Sequence, residues 1–178
     1  LSLLTLALLI VILVVEIFTP FVVYIIAPGF VGDNLKFDIA VEFTRITFPF
    51  LAFVSLSSFF AGILNSENKF AAAAAAPILL NIIMILSLVI SYFLKLDYAL
   101  NLSYAVSLAG LIQLIFLIFI SLKYYKPSII INNKIGKKVK FFLKKLLPSI
   151  FSSGVTQINI LIGTIIASFQ AGAVSYLY

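Results

Sequence analysis

The chain has 178 residues, of which 63% are apolar and only 10% charged. Soluble domains are about 45–50% apolar and about 25% charged, so too few charges remain here to coat a water-facing surface, and lipid is the expected solvent. Cysteine and histidine are both absent, which excludes a disulfide scaffold and removes the commonest metal ligand and the commonest general base near neutral pH.

A helix needs about 20 mostly apolar residues to cross the hydrocarbon of a bilayer. The first such run covers residues 3–26, is interrupted only by Glu16, and stops at Ala27-Pro28-Gly29, a helix stop followed by a turn. It lacks a basic leader, so it does not read as a signal peptide. Further spans are predicted at 44–66, 70–94 and 98–122. Residues 126–147 form a basic loop, and 148–178 hold a fifth span that turns near Gln170 and then the start of another helix. Nowhere does a ten-residue segment alternate as a barrel strand would. The expected class is therefore an all-α, polytopic helical membrane protein. The chain opens at Leu1 inside one apolar run and closes at Tyr178 inside another, which marks it as an expected fragment of a longer chain.

Lysine and arginine counts orient the spans. One set of loops, 28–45 and 95–97, holds Lys36, Arg45 and Lys95. The alternate set, 65–69 and 123–145, holds Lys69 and eight further lysines. Nine basic residues against three place the second set in the cytoplasm. The net charge of +6 is thus concentrated in one loop, and no nucleic-acid partner is expected. Tyrosines near the span ends, at Tyr24, Tyr92, Tyr98, Tyr124 and Tyr125, supply the interfacial belt in a chain without tryptophan.

Lys134–Leu147 is the most patterned segment. Ile135, Val139, Phe142, Leu143, Leu146 and Leu147 follow the helical period, and Lys137, Lys138, Lys140, Lys144 and Lys145 occupy the other face. This predicts a basic amphipathic helix on the membrane surface, in contact with anionic phospholipid. Its plain role is a topology anchor leading into Pro148, and its sharper role is capture of a phosphate-bearing lipid before transport.

Glu16 sits well inside the first predicted helix, where a carboxylate is costly and should face a bundle or a wet cavity. Arg45 stands near the outer end of the next helix and is a candidate partner. The competing reading has Arg45 snorkelling to the interface. Asn81, Gln113, Ser152, Ser153, Thr156, Gln157, Asn159 and Thr164 place further polar groups within spans. They serve either as interhelical hydrogen bonds or as a hydrophilic lining. Arg45, Glu16, Asn81, Gln157, Asn159 and Thr164 are the candidate cavity residues. The run Ala71–Ala76 permits close helix approach and reads as a packing face. No zinc-protease, Walker or dinucleotide motif is present. No catalytic set, metal site or cofactor is expected, which favours a transporter over an enzyme.

Several strings occur in a specific order: Ile25-Ile-Ala-Pro-Gly-Phe30, Arg45-Ile-Thr-Phe-Pro-Phe50, Gly62-Ile-Leu-Asn65, Lys69-Phe70, Ala76-Pro-Ile-Leu-Leu-Asn81, Gln157-Ile-Asn-Ile-Leu-Ile-Gly-Thr-Ile-Ile-Ala-Ser-Phe169 and Val174-Ser-Tyr-Leu-Tyr178. Together they closely resemble the MurJ (MviN) family of lipid II flippases over nearly the whole chain. The resemblance implies a partial multidrug/oligosaccharidyl-lipid/polysaccharide exporter fold. On that reading, residues 1–125 are four helices of a first lobe, and 148–178 are the first helix of a second lobe and the start of the next. It further implies a bacterial cytoplasmic membrane location, and alternating-access transfer of the undecaprenyl-pyrophosphate-linked lipid II to the outer leaflet in peptidoglycan synthesis. The remainder of the same chain would be its partner. An exporter of another polyprenyl-linked saccharide, or of a drug, is the alternative. Arg45 matches a basic position of the family motif. Gly163 stands where several members carry Asp or Asn, and Ala73 replaces a common proline.

Overall fold

The structure is a computed structural model of the chain and describes residues 1–126, 137–170 and 172–177. Among these residues every regular element is helical. The order is α1 (Ser2–Ile17), α2 (Thr19–Ile26), a 3₁₀ turn at Pro28–Phe30, α3 (Asn34–Thr47), α4 (Pro49–Ser66), α5 (Phe70–Leu94), α6 (Tyr98–Ser121), α7 (Lys137–Ser168) and α8 (Ala173–Leu177). Four stretches are long and apolar enough to cross a membrane: Asn34–Ser66, Phe70–Leu94, Tyr98–Ser121 and Lys144–Ser168. The pair α1 and α2 qualifies as a fifth, broken span. The chain is an all-α, multi-pass membrane protein.

Prolines explain two departures from the expected helices. The single helix expected over 3–26 is broken at Phe18. Pro20 has no N–H to donate to the Glu16 carbonyl, and its ring crowds that carbonyl. In the same way, Pro49 opens α4 and ends α3 at Thr47. Upstream, α3 begins ten residues before the expected start at 44. The cause is a polar cap: Asp33 accepts the Lys36 backbone N–H at 3.2 Å and pairs with the Lys36 ammonium at 3.2 Å.

The residues form two compact units, Leu1–Phe18 with Glu42–Ile129 and Thr19–Val41 with Ile130–Tyr178. In the first, α4, α5 and α6 pack through short turns. The α4–α5 turn is closed by hydrogen bonds from Lys69 N–H to the Leu64 carbonyl and from Asn68 N–H to the Asn65 carbonyl, with Asn68 at positive φ. This is a helix stop that asparagine tolerates. Phe60, Leu64, Ala76, Leu114 and Leu117 are almost fully buried together, and Ala72 packs against them. The alanine run thus supplies small faces that let α5 approach closely. Gly110 does the same on α6: a Cβ there would lie 2.5 Å from Phe50 Cδ2 and 3.2 Å from Phe53 Cβ. Outward-facing Leu13, Phe93 and Phe119 are 61%, 75% and 76% exposed, as side chains solvated by lipid tails would be.

In the second unit α7 packs against α2 and the 3₁₀ turn, and α8 folds back on α7. The expected turn near Gln170 is present, with Gly172 at φ +76 where a left-handed residue is needed. The expected amphipathic helix is not a separate element from residue 137 onward. The helix α7 runs unbroken through Pro148 for 32 residues. At about 1.5 Å per residue it reaches about 48 Å, well beyond a hydrocarbon core of about 30 Å. Proline removes one hydrogen bond there without ending the helix. Lys134, Ile135 and Gly136 of that expected segment lie outside the described residues.

Candidate functional site

Glu16 and Arg45 share a local context. Glu16 is the penultimate residue of α1, and Arg45 lies in the last turn of α3. Each stands four residues before a proline, Pro20 or Pro49, so the carbonyl of each loses its helical donor. Glu16 is half-buried and Arg45 is exposed. Each charge thus sits at a helix end and not along an uninterrupted span.

Asn81 is exposed on α5. The best-connected polar cluster of that helix lies closer to its end. Asn101 on α6 donates its amide to the Ser87 carbonyl at 3.1 Å and to Ser91 Oγ at 2.5 Å. Ser91 in turn donates to the Ser87 carbonyl at 2.8 Å. Both serines are buried. Sequence reasoning passed over this cluster, although Ser91 and Asn101 are equidistant from the turn at Leu96, as partners across a helical hairpin must be. Asp97 caps α6 by accepting the Leu100 N–H at 2.7 Å. Gln113 is buried on α6.

On α7 the helical period separates the residues that the sequence groups. Successive side chains turn by about 100°, so Ser153, Gln157, Thr164 and Ser168 fall on one stripe, and Asn159 projects to the other side. Gln157 and Asn159 are exposed, and Thr164 is half-buried. The Thr164 hydroxyl donates to the Ile160 carbonyl at 2.9 Å, which satisfies it within the helix. The stripe ends at Ser168, whose Oγ accepts the Gly29 N–H at 3.0 Å. This contact was also missed. The Ala27-Pro28-Gly29 string predicts a turn but not what the turn touches.

Of the lysines, Lys144 and Lys145 are exposed, and the Lys145 ammonium stands 4.9 Å from the Phe141 ring centroid. Lys137, Lys138 and Lys140 belong to α7 by backbone, and their side chains lie outside the described ones. In the first unit, Lys69 and Lys123 both approach the Tyr124 ring, at 5.9 and 6.0 Å. Basic residues and aromatics thus meet beyond the α4–α5 turn and the end of α6. The distances suit cation–π contact.

Comparison with known proteins gives these observations a family. The model of the family described as "Lipid II flippase MurJ" matches residues 1–178. A "Probable lipid II flippase MurJ" of Rickettsia prowazekii is 37% identical over 99% of this chain and 34% of its own length. That of Rhizobium meliloti is 39% identical over 91% of this chain and 31% of its own. A "Lipid II flippase MurJ" of Burkholderia cenocepacia is 34% identical over 88% of this chain and 31% of its own. The chain spans about a third of the length of these curated relatives. With a match along its whole length and an all-helical, multi-pass architecture, the chain belongs to the lipid II flippase MurJ family.

Proposed function

We propose that this chain supplies part of a transporter that moves lipid II from the inner to the outer leaflet of the bacterial cytoplasmic membrane. The observation that carries the proposal is the family match over residues 1–178. The work is transport and not bond chemistry. A pyrophosphate head group cannot cross bare hydrocarbon, so the protein must offer it a polar path while the lipid tail stays in the bilayer.

Two features of the helices support this reading. Spanning helices interrupted at Phe18 and at Phe48 leave backbone carbonyls without helical donors, and such irregular backbone is tolerated at membrane depth where it lines protein or a wet cavity. Glu16 and Arg45 sit beside those breaks, where polar surroundings would accommodate charge. Within the second unit, the stripe of Ser153, Gln157 and Thr164 on α7 offers neutral hydrogen-bonding groups. Asn81 on α5 and Asn159 on α7 are further polar side chains for the head group, each exposed on its own helix. The lysines of α7, with Lys144 and Lys145 exposed, attract anionic lipid on the cytoplasmic side. Alternating access by rocking of two lobes then exposes the path to either side.

The test uses the full-length protein, reconstituted in liposomes with lipid II labelled in one leaflet. Transfer of the label to the opposite leaflet, absent from protein-free liposomes, is the expected result. A correctly inserted protein that transfers none would contradict the proposal.

A further inference from the structure

Within the second unit, the Pro28–Phe30 turn and the end of α7 approach each other more closely than any side chain at position 29 would allow. A Cβ on Gly29 would lie 2.3 Å from the Ser168 carbonyl oxygen, 2.4 Å from its carbon and 2.5 Å from the Phe169 nitrogen. All three are backbone atoms and cannot rotate aside. The Gly29 N–H donates to Ser168 Oγ, and the Ser168 hydroxyl donates in turn to the Ile165 carbonyl at 2.7 Å. Ser168 is 4% exposed and neighbouring Ala27 is 7% exposed. The contact closes a sequence separation of 139 residues. It also walls a cavity of about 310 Å³ lined by Gly29, Phe30, Lys36, Ser168, Gln170 and Ser175 among others.

The chemistry of this contact suits repeated opening. Both polar groups sit at the ends of helical elements, where water can replace the protein partner without leaving an unpaired donor. The steric fit, by contrast, is demanding, because it requires a glycine. A contact that is shape-specific when closed and readily hydrated when open has two discrete arrangements, as a gate requires.

We infer that Gly29 and Ser168 form a latch, closed in this structure, that opens and recloses during the transport cycle. The inference rests on the transport reading above. It also rests on the lysine bias, which puts both the Pro28–Phe30 turn and the end of α7 on the outer side of the membrane. On the lobe assignment that the family resemblance implies, Gly29 follows α2 of the first lobe and Ser168 ends the first helix of the second, so rocking of the lobes would pull on this contact. The polar stripe of α7 ends at the latch, so the latch closes the outer end of the path that Ser153, Gln157 and Thr164 would line.

Two experiments on the full-length protein, with other cysteines replaced, test the latch. In the first, Phe30→Cys and Phe169→Cys are joined by a short reducible bis-thiol cross-linker. Loss of lipid II transfer on cross-linking, with recovery on reduction, is expected. Undiminished transfer by the cross-linked protein, or failure of the two thiols to be bridged, overturns the latch. In the second, Ala27→Cys is labelled from the outer side with a membrane-impermeant maleimide. Adding Gly29→Ala should prop the latch open and speed labelling roughly tenfold, and Ser168→Ala should speed it less. Equal labelling rates in all three backgrounds overturn the latch. The labelling needs no transport. If the wild-type protein moves no lipid II, the transport reading fails and the labelling still decides the latch.

Discussion

Ser107 on α6 donates its hydroxyl proton to the carbonyl of Ile46 on α3, 61 residues earlier in the chain. Ile46 is one of the last residues of α3, in the turn whose carbonyls run out of helical donors before Pro49. A serine from the neighbouring helix therefore meets a backbone group near the break. In lipid no water stands ready to do so. Replacing Ser107 with alanine leaves that carbonyl short of a partner. The purified protein should lose about 1–2 kcal/mol of stability, read as a lower unfolding temperature in detergent.

One turn further along α6, Gly110 meets Phe50 and Phe53. Gly110→Val forces α6 away from α4 and should destabilise by roughly 1–3 kcal/mol, as overpacking does. Adding Phe50→Ala to the valine variant should recover part of the loss, because the two changes act on one contact. Thermal unfolding of the single and double variants measures the coupling.

Lys95 ends α5 in the left-handed conformation, at φ 53 and ψ 40. Glycine adopts that conformation without the Cβ penalty. Lys95→Gly should therefore raise stability by about 0.5–1 kcal/mol, measured as a higher unfolding temperature with unchanged helix content by circular dichroism.

The backbone N–H of Lys36, and then its side chain, hold the Asp33 carboxyl below its ordinary value of 3.8. A depressed folded-state value means that this cap's contribution is complete above 3.8 and is lost as pH falls through the folded value. Exchange protection of the Lys36 amide should stay level from neutral pH to about pH 5 and weaken only below the ordinary carboxyl value of 3.8. Asp33→Ala should abolish that acid step and leave the amide poorly protected at all pH values.

Parts of this architecture are legible in the sequence. The apolar runs at 70–94 and 98–122 are bounded by Lys69, Lys95 and Asp97, and α5 and α6 begin and end there or within a residue. Hydropathy reads such helices well, because charge must leave the hydrocarbon. The breaks at Phe18 and Phe48 were not read, although Pro20 and Pro49 stand in the sequence. Hydropathy windows average over a proline that costs one hydrogen bond. α7 shows the reverse case, since the expected boundary at Pro148 is no break and the helix passes through it. The candidate site was legible by residue type only. Gln157, Asn159 and Thr164 were visible as polar groups in a span, but the division of Asn159 from the Ser153–Gln157–Thr164 stripe needs the helix phase. The Asn101–Ser91 and Gly29–Ser168 contacts needed the partner elements.

The lysines of α7 give a further prediction. Replacing Lys137, Lys138, Lys140, Lys144 and Lys145 with Gln removes about 1 kcal/mol of anionic-surface attraction per lysine. Native mass spectrometry of the protein in mixed-lipid nanodiscs should show fewer retained anionic phospholipids, and neutral lipids should be unaffected. Unchanged retention would show that these lysines act on topology alone.

The helices of this chain are proposed to belong to a lipid II transporter. This is tested most directly by depleting a bacterium of its own lipid II flippase and supplying the full-length protein. Restored growth is expected, together with restored arrival of lipid II at the outer leaflet. A well-expressed, membrane-inserted protein that leaves lipid II confined to the inner leaflet would contradict it.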